Sequence, residues 1–211
     1  MFEYTFNIYL AILFSSLIIG IYYYKVLSIR IKSLLWLVAF SLLVEIIGWH
    51  FKVKWIYRFF QPIEYLIIAK YFFKVIQSSK IRKLINVTIT LVVVLNMFNI
   101  FFYKEFKQLT TYCFLGGAFF LSVWSILYFK QCFKELYETD FAHNPEFWIC
   151  TGILFFYAGS FFQMGFTNII YSYNKELAQN LYVINHFLNY IFYVMLTYGF
   201  ICQAKYQRLQ Q

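Results

Sequence analysis

Six windows of the 211-residue chain are free, or nearly free, of charged side chains over a length that can cross a lipid bilayer. A transmembrane helix needs about 20 predominantly apolar residues, with about 17–25 tolerated. Apolar residues run continuously through the windows instead of alternating, which predicts α-helices rather than the strands of a β-barrel. Apart from Glu45 in the second window, none contains Asp, Glu, Lys or Arg; they are residues 5–24, 33–51, 84–103, 108–129, 147–174 and 177–204.

The composition excludes a soluble protein. Hydrophobic residues make up 62% of the chain and charged residues only 13%, about half the roughly 25% typical of soluble domains. A soluble domain of this size cannot hide so much apolar surface, so the chain needs lipid as its solvent. The net charge of +9 comes from basic residues that flank the apolar windows, which is typical of membrane topology. We therefore expect the bilayer as a partner and no direct nucleic-acid binding.

A seventh helix is predicted over residues 61–78, although this segment carries Glu64, Lys70 and Lys74. Pro62 can open a helix at its first position, and the 17 residues from Pro62 onward extend roughly 25 Å. The predicted fold class is all-α: a polytopic integral membrane protein forming one seven-transmembrane-helix bundle over residues 1–211. The predicted helices are 5–24, 33–51, 61–78, 84–103, 108–129, 147–170 and 181–203.

The basic residues of the connections predict the orientation. With the N-terminus outside, 11 of the 18 Lys and Arg residues fall inside and 6 outside, while Lys70 lies within the third helix. Cytoplasmic loops carry the excess of Lys and Arg, which favours an N-terminus outside and a C-terminus inside. We place the protein in the bacterial plasma membrane.

Polar side chains inside a bilayer are costly and mark candidate functional sites. Measured from the predicted outer helix ends, one group lies about 8–12 Å deep. If these side chains face inward, they form one polar pocket in the outer half of the bilayer. The candidate pocket residues are Glu45, Lys70, Asn96, Gln163, His186 and Asn189.

Two of these candidates lie on consecutive antiparallel helices at similar depth. Glu45 and Lys70 are therefore predicted to form an ion pair, because either charge alone must neutralise or reach toward the interface. A structural pair, a functional pair and the absence of pairing all stay open. Glu64 follows Pro62 closely and is interpreted as a helix-capping carboxylate in the first turn.

His186 begins the motif His186-x-x-Asn189. A single membrane histidine is commonly hydrogen-bonded to another helix, while proximity to Glu45 favours a proton acceptor or pH sensor. The three His and four Cys residues are scattered, so we expect no metal site, disulfide framework or cofactor. Gly152 and Gly159, seven residues apart, predict close packing between helices.

Several short segments resemble a group of uncharacterised bacterial membrane proteins of about this length and about seven helices. They are Leu42-Leu43-Val44-Glu45, Gln61-Pro62-Ile63-Glu64-Tyr65, Phe147-Trp148-Ile149 with Gly152 and Tyr157-Ala158-Gly159, and His186-x-x-Asn189. Genes for that group often lie beside sensor histidine kinases. The resemblance covers nearly the whole chain, implies a sensory role and draws attention to Glu45, Glu64, His186 and Asn189.

The leading hypothesis is a sensory, receptor-like protein whose outer pocket binds a small molecule or lipid and signals to a cytoplasmic partner through the inner connections. One alternative is an oligomeric pore or an accessory effector of a defence system, built on a polar stripe of Asn86, Thr90 and Asn96. Another is a lipid-modifying enzyme with Glu45 and His186 as an acid–base pair. Because no activated nucleophile is visible, the sequence favours a protein that is not an enzyme. A homo-oligomer is compatible with each hypothesis.

Overall fold

Helices form all the regular structure in the part of the chain that the structure, a computed structural model, describes: residues 2–53, 55–102, 109–135 and 143–209. A short 3-10 turn, Tyr24–Val26, joins the first two α-helices. The α-helices are α1 Phe2–Tyr22, α2 Ile29–His50, α3 Ile56–Val75, α4 Ser79–Phe101, α5 Leu109–Glu135, α6 Pro145–Tyr173 and α7 Lys175–Leu209. The prediction of an all-α fold with seven long helices is confirmed.

Six of these helices, all except α3, are long and apolar enough to cross a membrane, with mean hydropathies from 1.3 to 2.1. They overlap the six apolar windows of the sequence. The protein is therefore a multi-pass helical membrane protein. The side of the membrane on which each terminus lies stays a prediction.

The third helix begins earlier than the sequence predicts. It starts at Ile56, so Pro62 lies inside the helix instead of opening it. Proline lacks the N–H that would bond to the carbonyl of Arg58, and membrane helices tolerate this loss. Glu64 lies eight residues after Ile56, and the first turn of α3 contains no acidic residue. The interpretation of Glu64 as a helix cap is therefore wrong.

Although α3 is more polar than the other helices, it runs the length of the bundle beside α5. Just past its C-terminal end, the backbone N–H of Gln77 donates to the side-chain oxygen of Gln131 on α5 (2.9 Å). Near its N-terminal end, Tyr57 lines the same cavity as Thr110 of α5. The 20 residues of α3 extend about 30 Å, so α3 traverses the same thickness as its neighbour.

Six helices form a closed ring in the order α1, α2, α3, α5, α6, α7, with α7 packing back against α1. Helix α4 packs against α3 and α5 and contributes nothing to the lining of the central cavity described below.

The α6–α7 contact is close because of two glycines. A Cβ at Gly152 would lie 2.8 Å from Cβ of Met195, and one at Gly159 would lie 2.5 Å from Cδ2 of Leu188. These contacts confirm the close packing predicted for both positions.

The ring has two different halves along its axis. We call the half at the N-terminal ends of α1, α3, α5 and α7 the cavity half, and the other the packed half. In the packed half, large apolar side chains from four helices fill the centre and are completely buried. They are Ile31, Leu34 and Leu37 of α2, Tyr71 and Phe72 of α3, Ile149 and Ile153 of α6, and Leu196 and Phe200 of α7.

The entry into α6 at the end of the packed half is well capped. The side chain of Asn144 accepts hydrogen bonds from the backbone N–H groups of Glu146 and Phe147 (2.9 and 3.3 Å), and Pro145 occupies the first helical position. Both features are favoured at helix N-termini. Residues 136–142 of the predicted inner connection lie outside the described residues.

Candidate functional site

A central cavity of about 450 Å³ opens in the cavity half. All six helices of the ring contribute to its wall. On α2 the wall reaches Ser41, nine residues before the helix ends at His50, which corresponds to a depth of about 14 Å. Its polar and tyrosine lining consists of Tyr9, Ser41, Glu45, Tyr57, Arg58, Gln61, Glu64, Thr110, Thr111, Asn185, Asn189 and Tyr193.

Helical spacing explains how single helices present several of these side chains together. Residues three and four apart lie on the same face of a helix. On α7, Asn185, Asn189 and Tyr193 follow at intervals of four and all line the cavity. On α3, Gln61 and Glu64 are three apart and face the same space. Each of these helices therefore places a polar stripe on the inside of the ring.

Two tyrosine hydroxyls hold the carboxylate of Glu45. Tyr9 of α1 donates to Oε1 (3.2 Å) and Tyr57 of α3 donates to Oε2 (2.9 Å). The absence of a side chain at Gly48 gives Tyr57 this access, because a Cβ there would lie 2.6 Å from the Tyr57 hydroxyl. Charge-assisted hydrogen bonds of this kind fix the orientation of a carboxylate. Glu45 therefore links α1, α2 and α3.

The second carboxylate of the cavity, Glu64, lies beside the hydroxyl of Tyr157 on α6. Tyr157 is 3% exposed, and its hydroxyl makes no hydrogen bond of ordinary geometry. Glu64 also experiences the like charge of Glu45. Neither carboxylate forms an ion pair with a cationic residue among those the structure describes; the ion pair of Arg30 with Glu146 (3.3 Å) lies in the packed half.

Of the six predicted pocket residues, the structure brings Glu45 and Asn189 together in the cavity wall. Lys70 is exposed and does not line the cavity. It lies six residues beyond Glu64, which turns it about 120° away from that face. Of the alternatives left open for Glu45 and Lys70, the absence of pairing is the one observed: the partners of Glu45 are tyrosines.

Two other predicted residues, Gln163 and Asn96, form their hydrogen bonds outside the cavity lining. Gln163 of α6 donates to the hydroxyl of Thr167 (3.2 Å) and to the carbonyl of Leu181 on α7 (3.4 Å). Asn96 donates to the carbonyl of Val92 within α4 (2.8 Å). Neither side chain lines the cavity; Gln163 connects α6 to α7.

The ring of His186 faces α1 instead of the cavity. Its centroid lies 6.4 Å from that of Phe6 and 6.3 Å from that of Tyr9. One residue of α-helix rotates a side chain by about 100°, so His186 points to α1 while its neighbour Asn185 lines the cavity. The pairing of His186 with Glu45 in acid–base chemistry has no support in the observed contacts of Glu45.

The polar stripe expected on α4 divides between two faces. Asn86 and Thr90 are exposed, whereas Asn96 and Asn99 are each 1% exposed. Asn99 accepts a hydrogen bond from the hydroxyl of Thr110 on α5 (3.1 Å). The α4 residues therefore do not present one continuous polar face to a second copy of the protein, as the pore hypothesis requires.

Sequence reasoning did not select the tyrosines Tyr9, Tyr57 and Tyr193 as site residues. In a chain with 20 Tyr and 28 Phe residues, the sequence does not distinguish a tyrosine that bonds the half-buried Glu45 from a tyrosine at the membrane interface. Their helical spacing relative to polar residues is the one available signal: Tyr193 follows Asn185 and Asn189 at intervals of four. Glu64 was noticed but assigned to a helix end.

The site combines two carboxylates, one guanidinium, several hydroxyls and three amides in one half-open cavity. These groups can bind a small polar molecule and fix its orientation. Within the described residues, no three His, Cys, Asp or Glu side chains are grouped as a metal site. Comparison with protein-family models, with curated proteins and with solved structures gives no match for the chain.

Proposed function

We propose that the protein is a receptor-like membrane module that binds a small polar ligand in its central cavity and transmits the occupancy of that cavity to the far end of the bundle. One observation carries the proposal: all six helices of the ring line the cavity. A ligand there contacts six helices at once. It therefore biases their relative positions wherever two arrangements of the ring bind it with different affinity.

The packed half is the part that transmits the change. Close-packed interiors have discrete arrangements and do not deform continuously. Helix α7 carries Asn189 and Tyr193 in the cavity wall and continues to Phe200, which is fully buried in the packed half. A shift of α7 around the ligand therefore displaces side chains at the opposite end of the ring.

The orientation follows from the basic residues at the end of the packed half. The N-terminus of α4 and the C-termini of α3, α5 and α7 meet there, and their lysines are exposed. By the positive-inside rule this end faces the cytoplasm and the cavity faces outward. The exposed lysines are Lys74, Lys80, Lys83, Lys130, Lys134 and Lys205. They form the surface on which we place a cytoplasmic signalling partner.

The resemblance to bacterial membrane proteins encoded beside sensor histidine kinases supports the same role and a location in the bacterial plasma membrane. A partner in a signalling pathway would respond to the helix arrangement and not to the ligand itself. Coupling of this kind requires that partner binding and ligand binding affect one another by the same factor.

Hydrogen–deuterium exchange combined with native mass spectrometry tests the proposal. Protein purified in mild detergent is examined for a retained small adduct, beside the Glu45→Gln variant. The receptor role predicts that the adduct, once identified and added back, changes exchange both at the cavity and at Ile76–Arg82, where the guanidinium of Arg82 donates to the carbonyl of Ile76 (2.7 Å). Changes confined to the cavity helices around Glu45 would contradict the receptor role and leave a simple binding protein.

A further inference from the structure

The described lining of the central cavity contains more acidic than basic side chains. Glu45 and Glu64 both face it, while Arg58 at the N-terminal end of α3 is the one basic residue in the described lining. The described lining thus carries two formal negative charges and one formal positive charge. Both carboxylates line the same cavity, and like charges repel one another strongly where lipid and protein surround the site. A cation placed between them relieves it.

The carboxylate of Glu45 is oriented for a ligand. Its two oxygens each accept one tyrosine hydroxyl, and a carboxylate oxygen has lone pairs for a second donor. The tyrosines are supplied by two other helices, so the position of the charge does not depend on the rotamer of Glu45 alone. An ammonium group with several N–H donors, or one that is fully alkylated, can approach the remaining open side.

A second observation near Glu64 also points toward a ligand. The hydroxyl of Tyr157 is buried and makes no hydrogen bond of ordinary geometry. Together with Glu64 and Gln61 it lines a small void that adjoins the main cavity. Buried polar atoms in native proteins are nearly always hydrogen-bonded. The Tyr157 hydroxyl can therefore donate to the carboxylate of Glu64, while a bound cation contacts the other side of that carboxylate.

Aromatic rings complete the wall. Phe60, Phe114, Phe156 and Tyr193 line the same space as the carboxylates. Aromatic faces attract ammonium groups by cation–π interaction, worth about 0.5–2 kcal/mol depending on solvent exposure, and they also pack against an apolar body. A volume of about 450 Å³ lies within the range of sites for small organic molecules.

We propose that the cavity binds a small organic cation: an ammonium group held by Glu45 and Glu64, attached to an apolar body that packs against the aromatic wall. This inference names the ligand class of the proposed function and rests on it for its biological meaning. The ammonium group can belong to a free amine or to the headgroup of a membrane lipid, because the recognising chemistry is the same.

The test compares three molecules of matched shape in nanodiscs of phosphatidylglycerol, a lipid without an ammonium group. Phenethylamine is the cation, 2-phenylethanol the neutral analogue and phenylacetate the anion; saturation-transfer NMR measures their affinities. We expect the amine to bind at least about tenfold more tightly than the other two, as expected for a charge-assisted hydrogen bond to a carboxylate. Equal binding of the amine and the alcohol, or no binding of the amine, would overturn the proposal.

Variants locate the interaction. Glu64→Gln keeps the shape and removes the charge, so it lowers the affinity for phenethylamine by about tenfold. Glu146→Gln is the matched control, because that carboxylate lies at the far end of the bundle, and it leaves the affinity unchanged. If Glu64→Gln does not fold, Glu45→Gln makes the same comparison. Unchanged affinity in the cavity variants would overturn the assignment.

Nanodiscs of phosphatidylethanolamine distinguish the two sources of the ammonium group. Weaker binding of phenethylamine there shows competition by the lipid headgroup, whereas equal binding identifies a free amine as the ligand type; both support ammonium recognition. Amine binding without exchange changes at Ile76–Arg82 retains this inference and removes the receptor role. A non-cationic adduct that produces those exchange changes retains the receptor role and removes this inference.

Discussion

The same six helices form both halves of the ring, but the two halves are packed differently. In the packed half, large side chains such as Phe72 and Phe200 are completely buried. In the cavity half, the central space is open and the carboxylates of Glu45 and Glu64 face it. The comparison shows that the fully buried apolar core lies at one end of the bundle, whereas the cavity with its polar lining lies at the other.

This difference is expected for a protein in lipid. Helix association in a bilayer depends on van der Waals packing and interhelical hydrogen bonds, because lipid tails are as apolar as the side chains. A cavity forfeits that packing. Its walls must therefore be connected in another way, and Glu45 with its two tyrosine partners provides hydrogen bonds between three helices.

The largest expected effect is loss of packing in the packed half. Replacing the buried Phe200 by Ala lowers the free energy of unfolding by about 3 kcal/mol, because a space opens that the surrounding helices cannot fill. Unfolding in bicelles measures the change. Phe114→Ala is the control: this half-buried side chain lines the cavity, and we expect a clearly smaller loss. Equal losses would show that the two halves are packed alike.

The glycine contact between α6 and α7 gives the next largest effect. A Cβ at Gly152 would lie 2.8 Å from Met195 Cβ and 3.3 Å from the carbonyl oxygen of Phe192, so Gly152→Ala forces the helices apart. We expect a loss of about 2 kcal/mol in the free energy of unfolding. At Gly116 a Cβ meets nothing within 4 Å. Gly116→Ala should leave stability unchanged or raise it; destabilisation of both variants to the same degree would contradict the contact.

Gly48→Ala acts on the cavity half through a hydrogen bond. The new methyl displaces the Tyr57 hydroxyl, which a Cβ would approach to 2.6 Å, and so removes one donor from Glu45. The expected loss is about 1 kcal/mol of stability together with weaker phenethylamine binding. Tyr57→Phe removes the same bond, so combining the two changes should add little to either alone. Fully additive losses in the double variant would rule out this shared cause.

The smallest effect is expected for the surface ion pair of the packed half. Arg30 and Glu146 are 3.3 Å apart, but the Arg30 side chain is 39% exposed. Arg30→Gln should lower the free energy of unfolding by about 0.5 kcal/mol, because solvent screens the pair. The loss should shrink further at high salt, and phenethylamine affinity should stay at the wild-type level. A loss as large as that of Phe200→Ala would show that the pair, and not apolar packing, holds this end.

Local sequence signals did not locate every helix boundary. The apolar windows located six helices, but the proline of α3 suggested a start at Pro62 while the helix begins at Ile56. Packing against α2 and the bond from Tyr57 to Glu45 extend the helix toward its N-terminus. That extension carries Tyr57 and Arg58 into the cavity wall and moves Glu64 from a helix end to the middle of the site.

The candidate residues show the same limit for side-chain direction. Glu45 and Asn189, which the sequence predicted at similar depth, both line the cavity. Rotation about the helix axis was not predicted, so Lys70 lies exposed and His186 faces Phe6 and Tyr9. An error of one residue in depth moves a side chain only about 1.5 Å, whereas it turns the side chain by about 100°.

The sequence by itself determined that this is a multi-pass helical membrane protein with glycines where helices approach closely. Those properties depend on residues adjacent along the chain, because apolar length and glycine spacing are local. Only the tertiary structure decided that six helices close into a ring, that α4 stays outside the cavity lining, and that Glu45 and Glu64 face one space. These outcomes depend on how each helix rotates to pack against partners distant in sequence, which no local pattern encodes.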